Sequence, residues 1–388
     1  MHDWIVIGAG ITGAALAYEL AKQNSVLLLD QAAQPHSATR FSYGGIAYWS
    51  GTTELTNQLC AEGIEIHRSL SAELDADTQF REVDLLLTIS AQHDPAEIAK
   101  NYTYFAIPPT LLTVQEACQL EPLLNADAIA GVLTVKHGHI ETERTTQAYI
   151  QAFERLGGEL KIAQVVHLQK DSVGTITGAV TPTQTFSAKN VALCTGGVTR
   201  HFLKDAGIAV KQYFTHAELI ETPPVDLRLS TLVMPAAAER FALEADATRS
   251  EVEALWDAPD NEPAPAILDA GAVQLLDGRI RIGQISRTLT SENAVINAAQ
   301  SEAALRHNIG HVLPKLEDIP GKWHHCLIAF SRDRLPLIGT VPGHEGLHLF
   351  SGFSNPLAIV PPLAKRFAVH VTSERDPLLD SLSPARFT

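Results

Sequence analysis

Residues 4–30 read WIVIGAGITGAALAYELAKQNSVLLLD, and this stretch decides the fold. It begins with an apolar run of buried-strand length, Trp4-Ile5-Val6-Ile7, and continues with the turn Gly8-Ala9-Gly10-Ile11-Thr12-Gly13. Residues 14–22 are rich in helix formers and contain no glycine or proline. A second apolar run, Val26-Leu27-Leu28-Leu29, ends on Asp30. The order of strand, glycine turn, helix, strand and acid predicts a βαβ unit.

Each glycine of the turn has a physical role in such a unit. Gly8 lets the chain turn tightly out of the strand, Gly10 lets the backbone approach a pyrophosphate, and Gly13 lets the helix lie close to the sheet. The N–H groups at the helix N-terminus then point at the phosphates. Asp30 stands 22 residues after Gly8, where a carboxylate accepts hydrogen bonds from ribose hydroxyls and disfavours a 2′-phosphate. The stretch therefore predicts a dinucleotide cofactor other than NADP.

Composition sets the protein class. A chain of 388 residues is too long for one simple core, so we expect two domains. The net charge of −15 argues against nucleic acid and against an anionic membrane surface. The sequence contains no run of ~18–20 uncharged apolar residues, so no transmembrane segment is predicted. The strand predicted at Trp4 leaves no room for a signal peptide. The four cysteines are scattered without CxxC spacing, which predicts a reducing, cytoplasmic location and no cysteine-built metal site.

The rest of the chain alternates between strands and helices. Residues 31–46 form a polar, glycine-containing loop that is longer than a typical connection, which is characteristic of functional loops. We predict helices over residues 52–72, 142–156, 300–312 and 361–372. We predict strands at residues 85–89, 131–135, 159–167, 175–180, 190–194 and 347–350. The segment from about 214 to 323 has acid-rich, proline-containing loops and is predicted to be an insertion.

Four separated blocks resemble the D-amino-acid oxidase, glycine oxidase and sarcosine oxidase family of FAD enzymes. They are the glycine turn with Asp30, Ser37-Ala38-Thr39-Arg40 with Gly44-Gly45-Ile46, residues 190–197, and Asp333-Arg334-Leu335-Pro336-Leu337-Ile338-Gly339 with Gly352-Phe353-Ser354-Asn355-Pro356. The blocks occur in the family order across nearly the whole chain. The resemblance implies FAD rather than NAD.

The pattern and the resemblance together predict an α/β fold. Its Rossmann-like FAD-binding domain is doubly wound around a mostly parallel sheet and comprises residues 1–90, 141–214 and 326–388. An inserted α+β substrate domain, comprising residues 91–140 and 215–325, is built on a mixed or antiparallel sheet.

The resemblance also implies a set of cofactor contacts. These residues are Gly8, Gly10, Ile11, Thr12, Gly13, Asp30, Gln31, Thr39, Arg40, Gly44, Gly45, Ile46, Val165, Thr195, Gly196, Gly197, Cys326, Gly352, Phe353, Ser354, Asn355, Pro356 and Leu357. Cys326 precedes Asp333 by seven residues, where sarcosine-oxidase-like enzymes tether the flavin through sulfur. Covalent attachment there is one interpretation, and an ordinary buried thiol is the other.

Four residues are candidates for catalysis, each with an ordinary alternative. Arg40 matches a family arginine beside the flavin, or is a solvated loop cation. Arg281 stands two residues before Gly283, at the place of an oxygen-activating lysine in sarcosine-oxidase relatives, or is a cross-strand surface arginine. Tyr48 and His216 are candidate pocket walls, or ordinary core residues.

The chain departs from the family at two positions. Ile328 replaces an arginine that grips the substrate carboxylate in glycine-oxidase-like members, and Arg332 or Arg334 are candidate substitutes. Leu357 replaces a glycine expected near the flavin.

The predicted activity is oxidation of a C–N bond in an amine or amino-acid-like substrate, with hydride transfer to flavin N5 and reoxidation by oxygen or another acceptor. The amine must be neutral, so no strong general base is needed. One alternative is 2-hydroxy-acid oxidation, for which His216 or His324 would be the base. Another is a flavin-bearing protein without turnover, suggested by Ile328 and Leu357.

Overall fold

The computed structural model of the protein describes residues 1–35, 37–237 and 239–387. Its strands are β1 His2–Ile7, β2 Val26–Asp30, β3 Gly45–Ile46, β4 Arg81–Ser90, β5 Thr110–Leu112, β6 Ile129–His139, β7 Glu159–Ile162, β8 His167–Lys170, β9 Ile176–Val180, β10 Thr185–Leu193, β11 Gln212–Glu221, β12 Leu232–Pro235, β13 Ile267–Gln274, β14 Ile280–Arg287, β15 Lys322–Ser331, β16 Leu337–Thr340 and β17 Leu347–Ser351. Its α-helices are α1 Ile11–Ala21, α2 Ala38–Phe41, α3 Glu54–Glu73, α4 Pro95–Lys100, α5 Val114–Leu120, α6 Thr142–Arg155, α7 Thr199–Asp205, α8 Glu239–Asp246, α9 Ala298–Val312, α10 Pro356–Thr372 and α11 Pro377–Asp380.

The first sheet is the predicted, mostly parallel one. Its order is β16-β17-β10-β1-β2-β7, with β9 pairing to β10 and to β8. The strands β17, β10, β1, β2 and β7 are parallel neighbours, while β16 and the β8–β9 hairpin are antiparallel additions. Because side chains of a strand alternate, Trp4 and Val6 pack under α1, α6 and α10, whereas Ile5 and Ile7 pack toward β8, β9 and α7. The sheet is therefore buried on both faces, as a parallel sheet requires.

The second sheet is mixed, as predicted. Its order is β15-β11-β14-β13-β12-β4-β6-β3, with β5 pairing to β6, and only the β4–β12 pair is parallel among the described pairings. One face packs on α5 and α9 through residues such as Leu86, Val132 and Ile282. The opposite face, called the inner face below, carries residues such as Leu85 and Val273 and packs with Trp49 and Tyr102.

The predicted domain boundaries do not coincide with the two sheets. Strand β4, placed by the sequence in the FAD-binding domain, lies in the second sheet, and so do residues 212–214 of β11 and 326–331 of β15. The predicted boundaries at residues 214 and 325 thus fall inside β11 and β15. Strand pairing is a long-range property, so an apolar run does not reveal which sheet it joins.

Helix α10 begins at Pro356, five residues before its predicted start, and contains Pro361 and Pro362 in its interior. Proline has no N–H, so these residues free the carbonyl groups four positions earlier, at Leu357 and Ala358. The neighbouring helix α3 accommodates both groups. His67 Nε2 donates to the Leu357 carbonyl at 2.7 Å, and the Ala358 carbonyl oxygen lies 1.8 Å from where a Cβ on Gly63 would stand. The close approach at that point requires glycine, and the bond from His67 replaces the backbone bond that the Leu357 carbonyl loses.

Two properties of the chain complete the description. Within the described residues, no helix is long and apolar enough to cross a membrane. All four cysteines are free.

We predict that His67→Ala lowers the free energy of unfolding by about 1–3 kcal/mol, with lost packing adding to this cost, because the buried Leu357 carbonyl loses its donor. Chemical denaturation of the flavin-free protein measures the change. The matched control is His93→Ala, at an exposed histidine, with an expected change within about 0.5 kcal/mol. Equal stability of the two variants would show that His67 does not support the proline-containing helix.

Candidate functional site

The glycine turn joins β1 closely to α1. Gly8 has φ +102°, and a Cβ on Gly13 would lie 1.8 Å from the Gly8 carbonyl oxygen. Only glycine tolerates both the positive φ and the close approach. The first turn of the helix thus lies directly against the end of the strand, as the sequence pattern indicates.

The N-terminus of α1 is open to an anion. Gly10 is the N-cap and has no side chain to cap the helix, and no acid occupies the first turn. Thr39 Oγ1 accepts the Ile11 N–H at 3.1 Å and lies 3.0 Å from where a Gly10 Cβ would stand. The Thr142 hydroxyl donates to the Thr39 carbonyl at 2.7 Å and fixes this loop. The free N–H groups of the helix, including those of Thr12 and Gly13, suit a phosphate.

Asp30 connects the turn to the end of β2. Its Oδ2 accepts the Ala9 N–H at 2.6 Å and its Oδ1 accepts the Ala32 N–H at 2.9 Å. A carboxylate has further lone pairs, so it remains able to accept from ribose hydroxyls. Gln31 follows it at the carboxyl end of β2. Val165 packs against the apolar cluster on the face of the first sheet opposite α1.

The remaining cofactor candidates lie where the two sheets meet. Gly196 accepts a hydrogen bond from Gln212 Nε2 at 2.8 Å, the Thr195 and Thr199 hydroxyls are 2.8 Å apart, and Gly197 packs against Leu327 of β15. Gly45 and Ile46 form β3 and pair with His139 and Gly138 of β6, and Gly44 accepts the Ile140 N–H at 3.0 Å. Gly44, Gly45 and Ile46 are therefore also held by sheet pairing, and their contact with a flavin stays a prediction.

The segment after β17 leads into α10. Gly352 has φ +78°, Phe353 is buried, and Asn355 Nδ2 lies 3.4 Å from both the Ala47 carbonyl and the Ser50 hydroxyl. Pro356 opens the helix, and Leu357 is a core residue whose carbonyl binds His67. The Ser354 hydroxyl and Gln212 Oε1 are buried and have no hydrogen-bond partner in the described part of the chain. Such orphaned polar atoms require a partner that the protein itself does not supply.

These features fit a dinucleotide cofactor. The glycine turn and the open end of α1 suit the pyrophosphate, Asp30 suits a ribose, and the orphaned Ser354 and Gln212 atoms suit polar ring edges.

Two of the predicted catalytic residues, Arg40 and Arg281, meet at Glu221, which the sequence did not single out. Arg40 Nη1 and Nη2 donate to the two Glu221 carboxylate oxygens at 2.8 and 2.7 Å, and Arg281 Nε donates at 2.8 Å. Arg279 Nη1 lies 3.4 Å from the same carboxylate. Burial raises the pKa of Glu221, but the hydrogen bonds from Arg40 and Arg281 outweigh it and lower that pKa to about 2. The carboxylate is therefore ionised throughout the neutral range.

Arg281 is completely buried, contrary to the surface alternative. Its Nη1 donates to the Ser42 carbonyl, and its Nη2 has no hydrogen-bond partner among the residues described. It pairs across β14 with Glu221 and Val273, so its side chain lies on the inner face. A buried guanidinium whose Nη2 amino group has no partner is a strong anion-binding group.

His216 and Tyr48 are not brought to this cluster. His216 alternates with Ala217 on β11 and lies on the face opposite Glu221, where its Nε2 donates to the Ser291 carbonyl at 3.0 Å. Burial lowers the pKa of His216 to about 4. The Tyr48 hydroxyl donates to Glu82 at 3.3 Å in an exposed contact. Catalytic roles for both stay predictions, and their contacts are those of structural residues.

Cys326 lies on the inner face opposite Ala217. Burial raises the pKa of its thiol to about 12, which opposes the thiolate needed for attachment to a flavin. Covalent attachment stays a prediction. Ile328 faces Thr215 two residues further on, while Arg332 and Arg334 are exposed and the Arg334 guanidinium lies 4.9 Å from the Phe241 ring centroid.

Comparison with known proteins gives one family and several relatives. The family model described as "DAO: FAD dependent oxidoreductase" matches residues 3–369. A Bacillus subtilis (strain 168) protein named "Uncharacterized oxidoreductase YurR" is 25% identical over 402 residues, covering 99% of this chain and 98% of that protein. Among crystal structures, glycine oxidase from Geobacillus kaustophilus has a TM-score of 0.78 at 21% identity, covering 99% of this chain and 98% of its own. L-proline dehydrogenase from P. horikoshii has a TM-score of 0.80 at 18% identity, covering 99% and 97%. At these identities the two crystal structures establish a shared fold alone.

We predict that Gly10→Val abolishes cofactor binding, because a Cβ already meets Thr39 and the branched side chain fills the approach to the α1 N-terminus. The visible absorbance of the purified protein measures bound flavin, and circular dichroism verifies folding. The control is Ala96→Val, at an exposed residue of α4, which should stay yellow. A folded, fully flavin-loaded Gly10→Val protein would contradict the assignment of the turn.

Proposed function

Because this chain belongs to the DAO family of FAD-dependent oxidoreductases, we propose that it oxidises a C–N bond of an amine or amino-acid-like substrate. The observation that carries the proposal is Arg281, a fully buried cation on the inner face whose Nη2 amino group is left for an anion. An amino-acid carboxylate is an anion of the right charge and geometry for a guanidinium. The arginine missing at Ile328 is then replaced by Arg281, rather than by the exposed Arg332 or Arg334.

When bound, FAD supplies a hydride acceptor at N5. The residues of this chain provide the surroundings. The α1 N-terminus and Asp30 would bind the ADP half. Arg40 with Arg281 places positive charge between residues 37–46, called the cofactor loop below, and the inner face. Fixed positive charge stabilises negative charge that develops on reduction. Burial of Arg281 excludes water from this charge and strengthens its effect.

The hydroxy-acid alternative requires a base for the hydroxyl proton. His216 faces away from the arginine cluster and is engaged by Ser291. His324 lies on the inner face opposite Leu219 and stacks on Phe41 at 4.7 Å, and burial lowers its pKa. His324 is therefore the better placed of the two, and it gives this alternative its structural basis.

The alternative without turnover was suggested by Ile328 and Leu357. Leu357 is accounted for by core packing and by the bond from His67 to its carbonyl, so its presence does not require loss of activity.

We propose oxygen or another small electron acceptor as the oxidant, and a cytoplasmic location, which the four free cysteines support.

We predict that anaerobic addition of glycine, N-methylglycine or L-proline bleaches the yellow protein, with at least one of the three effective. These compounds present a primary, an acyclic secondary and a cyclic secondary amine beside a carboxylate. The control is N,N,N-trimethylglycine, which keeps the carboxylate but has no nitrogen lone pair and should not bleach the flavin. Stopped-flow or static absorbance follows the reaction.

Glycolate and lactate separate the alternatives in the same experiment. Bleaching by these hydroxy acids and by none of the amines would replace the proposed activity with hydroxy-acid oxidation. Tight FAD without bleaching by any compound would favour the protein without turnover.

A further inference from the structure

Asp269 is a carboxylate on the inner face of the second sheet. On β13, Leu268, Ala270 and Ala272 pack toward α9, whereas Val273 points to the inner face. The register shifts between Leu268 and Gly271, and the electrostatic interactions of Asp269 with Tyr43 and Tyr102 place its carboxylate on the inner face. Val273 pairs with Arg281, and Gly271 pairs with Gly283. Asp269 and Arg281 therefore share one face of the sheet, separated by the glycine pair.

Tyr43 lies over this glycine pair. A Cβ on Gly283 would stand 2.5 Å from the Tyr43 hydroxyl, so the phenol occupies the space that a side chain would fill. The hydroxyl is buried and has no hydrogen-bond partner within residues 1–35, 37–237 and 239–387. An unsatisfied donor thus lies between the guanidinium and the carboxylate.

The Asp269 carboxylate lacks the contacts that normally stabilise a buried acid. The residue is 9% exposed and accepts no hydrogen bond from the described residues. A nearby cation, Arg240 at the start of α8, donates through Nε to Glu244 at 2.9 Å, and its Nη2 is buried without a hydrogen-bond partner among the described residues. Burying a carboxylate without a donor is costly, so a donor from a bound molecule would stabilise Asp269. Neither the α1 turn nor the Glu221 cluster uses this residue.

We propose that Asp269 binds the amino group of the substrate, while Arg281 Nη2 and the Tyr43 hydroxyl bind its carboxylate. This inference rests on the proposed function and narrows it to zwitterionic amino acids and N-alkyl amino acids, in preference to simple monoamines. The ammonium group donates to the Asp269 carboxylate and transfers one proton to it: an N–H bond breaks and an O–H bond forms. The nitrogen keeps its electron pair, which is the neutral amine that C–H oxidation requires. The proton later leaves from Asp269 to solvent.

The charges around Asp269 suit this transfer. Burial and the neighbouring Glu239 raise the pKa of Asp269 to about 7, and Arg240 opposes them. The other titratable groups that face it are Tyr43 and Tyr102, which stay neutral because burial raises both of their pKa values. As pH rises through about 7 the carboxylate becomes ionised, so binding of an ammonium substrate tightens in this range.

The test uses flavin-loaded wild-type, Asp269→Asn, Asp269→Glu and Asp84→Asn proteins. Asp84→Asn is the matched control because Asp84 pairs with Lys136 on a strand of the same sheet, away from the inner face. The probes are 2-aminoisobutyrate and trimethylacetate, which have the same shape, differ by an amino group in place of a methyl group, and have no α-hydrogen to oxidise. Perturbation of the flavin spectrum gives each dissociation constant from pH 5.5 to 9.

We expect Asp269→Asn to weaken 2-aminoisobutyrate at least tenfold and to remove its tightening near pH 7, with trimethylacetate unchanged. Asp269→Glu should recover part of the loss, and Asp84→Asn should match wild type. Equal effects on both probes, no effect on either, or no binding of 2-aminoisobutyrate to the wild-type protein would overturn the assignment. If the proposed function fails, no amine bleaches the flavin, but these unreactive probes still report binding. The two failures are therefore distinguishable.

Discussion

The partly buried carboxylate of Glu221 holds the cofactor loop to the second sheet. Arg40 belongs to α2 and follows Thr39, which contacts the glycine turn. Arg281 comes from the centre of the second sheet. Removing these charges from water is costly, and the cost is offset only when both carboxylate oxygens and several guanidinium N–H groups are paired. Glu221 meets this condition, because Arg40 alone engages both oxygens. The same pairing leaves Arg281 Nη2 unused and so turns a structural contact into a candidate anion site.

The cofactor side depends on two helix N-termini supported in different ways. Helix α1 lies against β1 because Gly13 contacts the Gly8 carbonyl. Its N-cap, Gly10, has no side chain, and Thr39 accepts the Ile11 N–H. Helix α10 starts at Asn355 and Pro356, and its interior prolines are tolerated because α3 provides His67 and Gly63. Neither N-cap residue makes a side-chain hydrogen bond to its helix, which favours negatively charged or polar groups of a cofactor at both N-termini.

Much of the fold is readable from the sequence because local patterns determine it. The βαβ unit, the parallel sheet and the family resemblance depend on short motifs such as Gly8–Gly13, and the structure and the family match confirm them. The domain boundaries stay a prediction, and two of them fall inside β11 and β15, since strand pairing joins residues far apart in sequence. The start of α10 was missed because Pro361 indicates a helix boundary unless a neighbour satisfies the freed carbonyl.

The site was less readable than the fold. Glu221 and Asp269 are single acids in apolar strands, a pattern that also occurs at strand ends and sheet edges. Glu221 is recognised as a site residue only through Arg40, which is 181 residues away in the sequence. Asp269 is recognised only because its carboxylate lacks hydrogen-bond partners among the described residues. Arg281 was identified only by resemblance. Its burial was not predictable, because burial of an arginine requires the distant Glu221.

The contact whose strength is most informative is the pair formed by Arg40 and Glu221. A double-mutant cycle with Arg40→Ala, Glu221→Gln and the double variant measures it as the free energy of unfolding of the flavin-free protein. The expected coupling is at least about 1.5 kcal/mol, against less than about 0.5 kcal/mol for the exposed pair of Lys100 and Glu97. Additive effects of Arg40→Ala and Glu221→Gln, within about 0.5 kcal/mol, would contradict a cofactor loop held to the second sheet by Glu221.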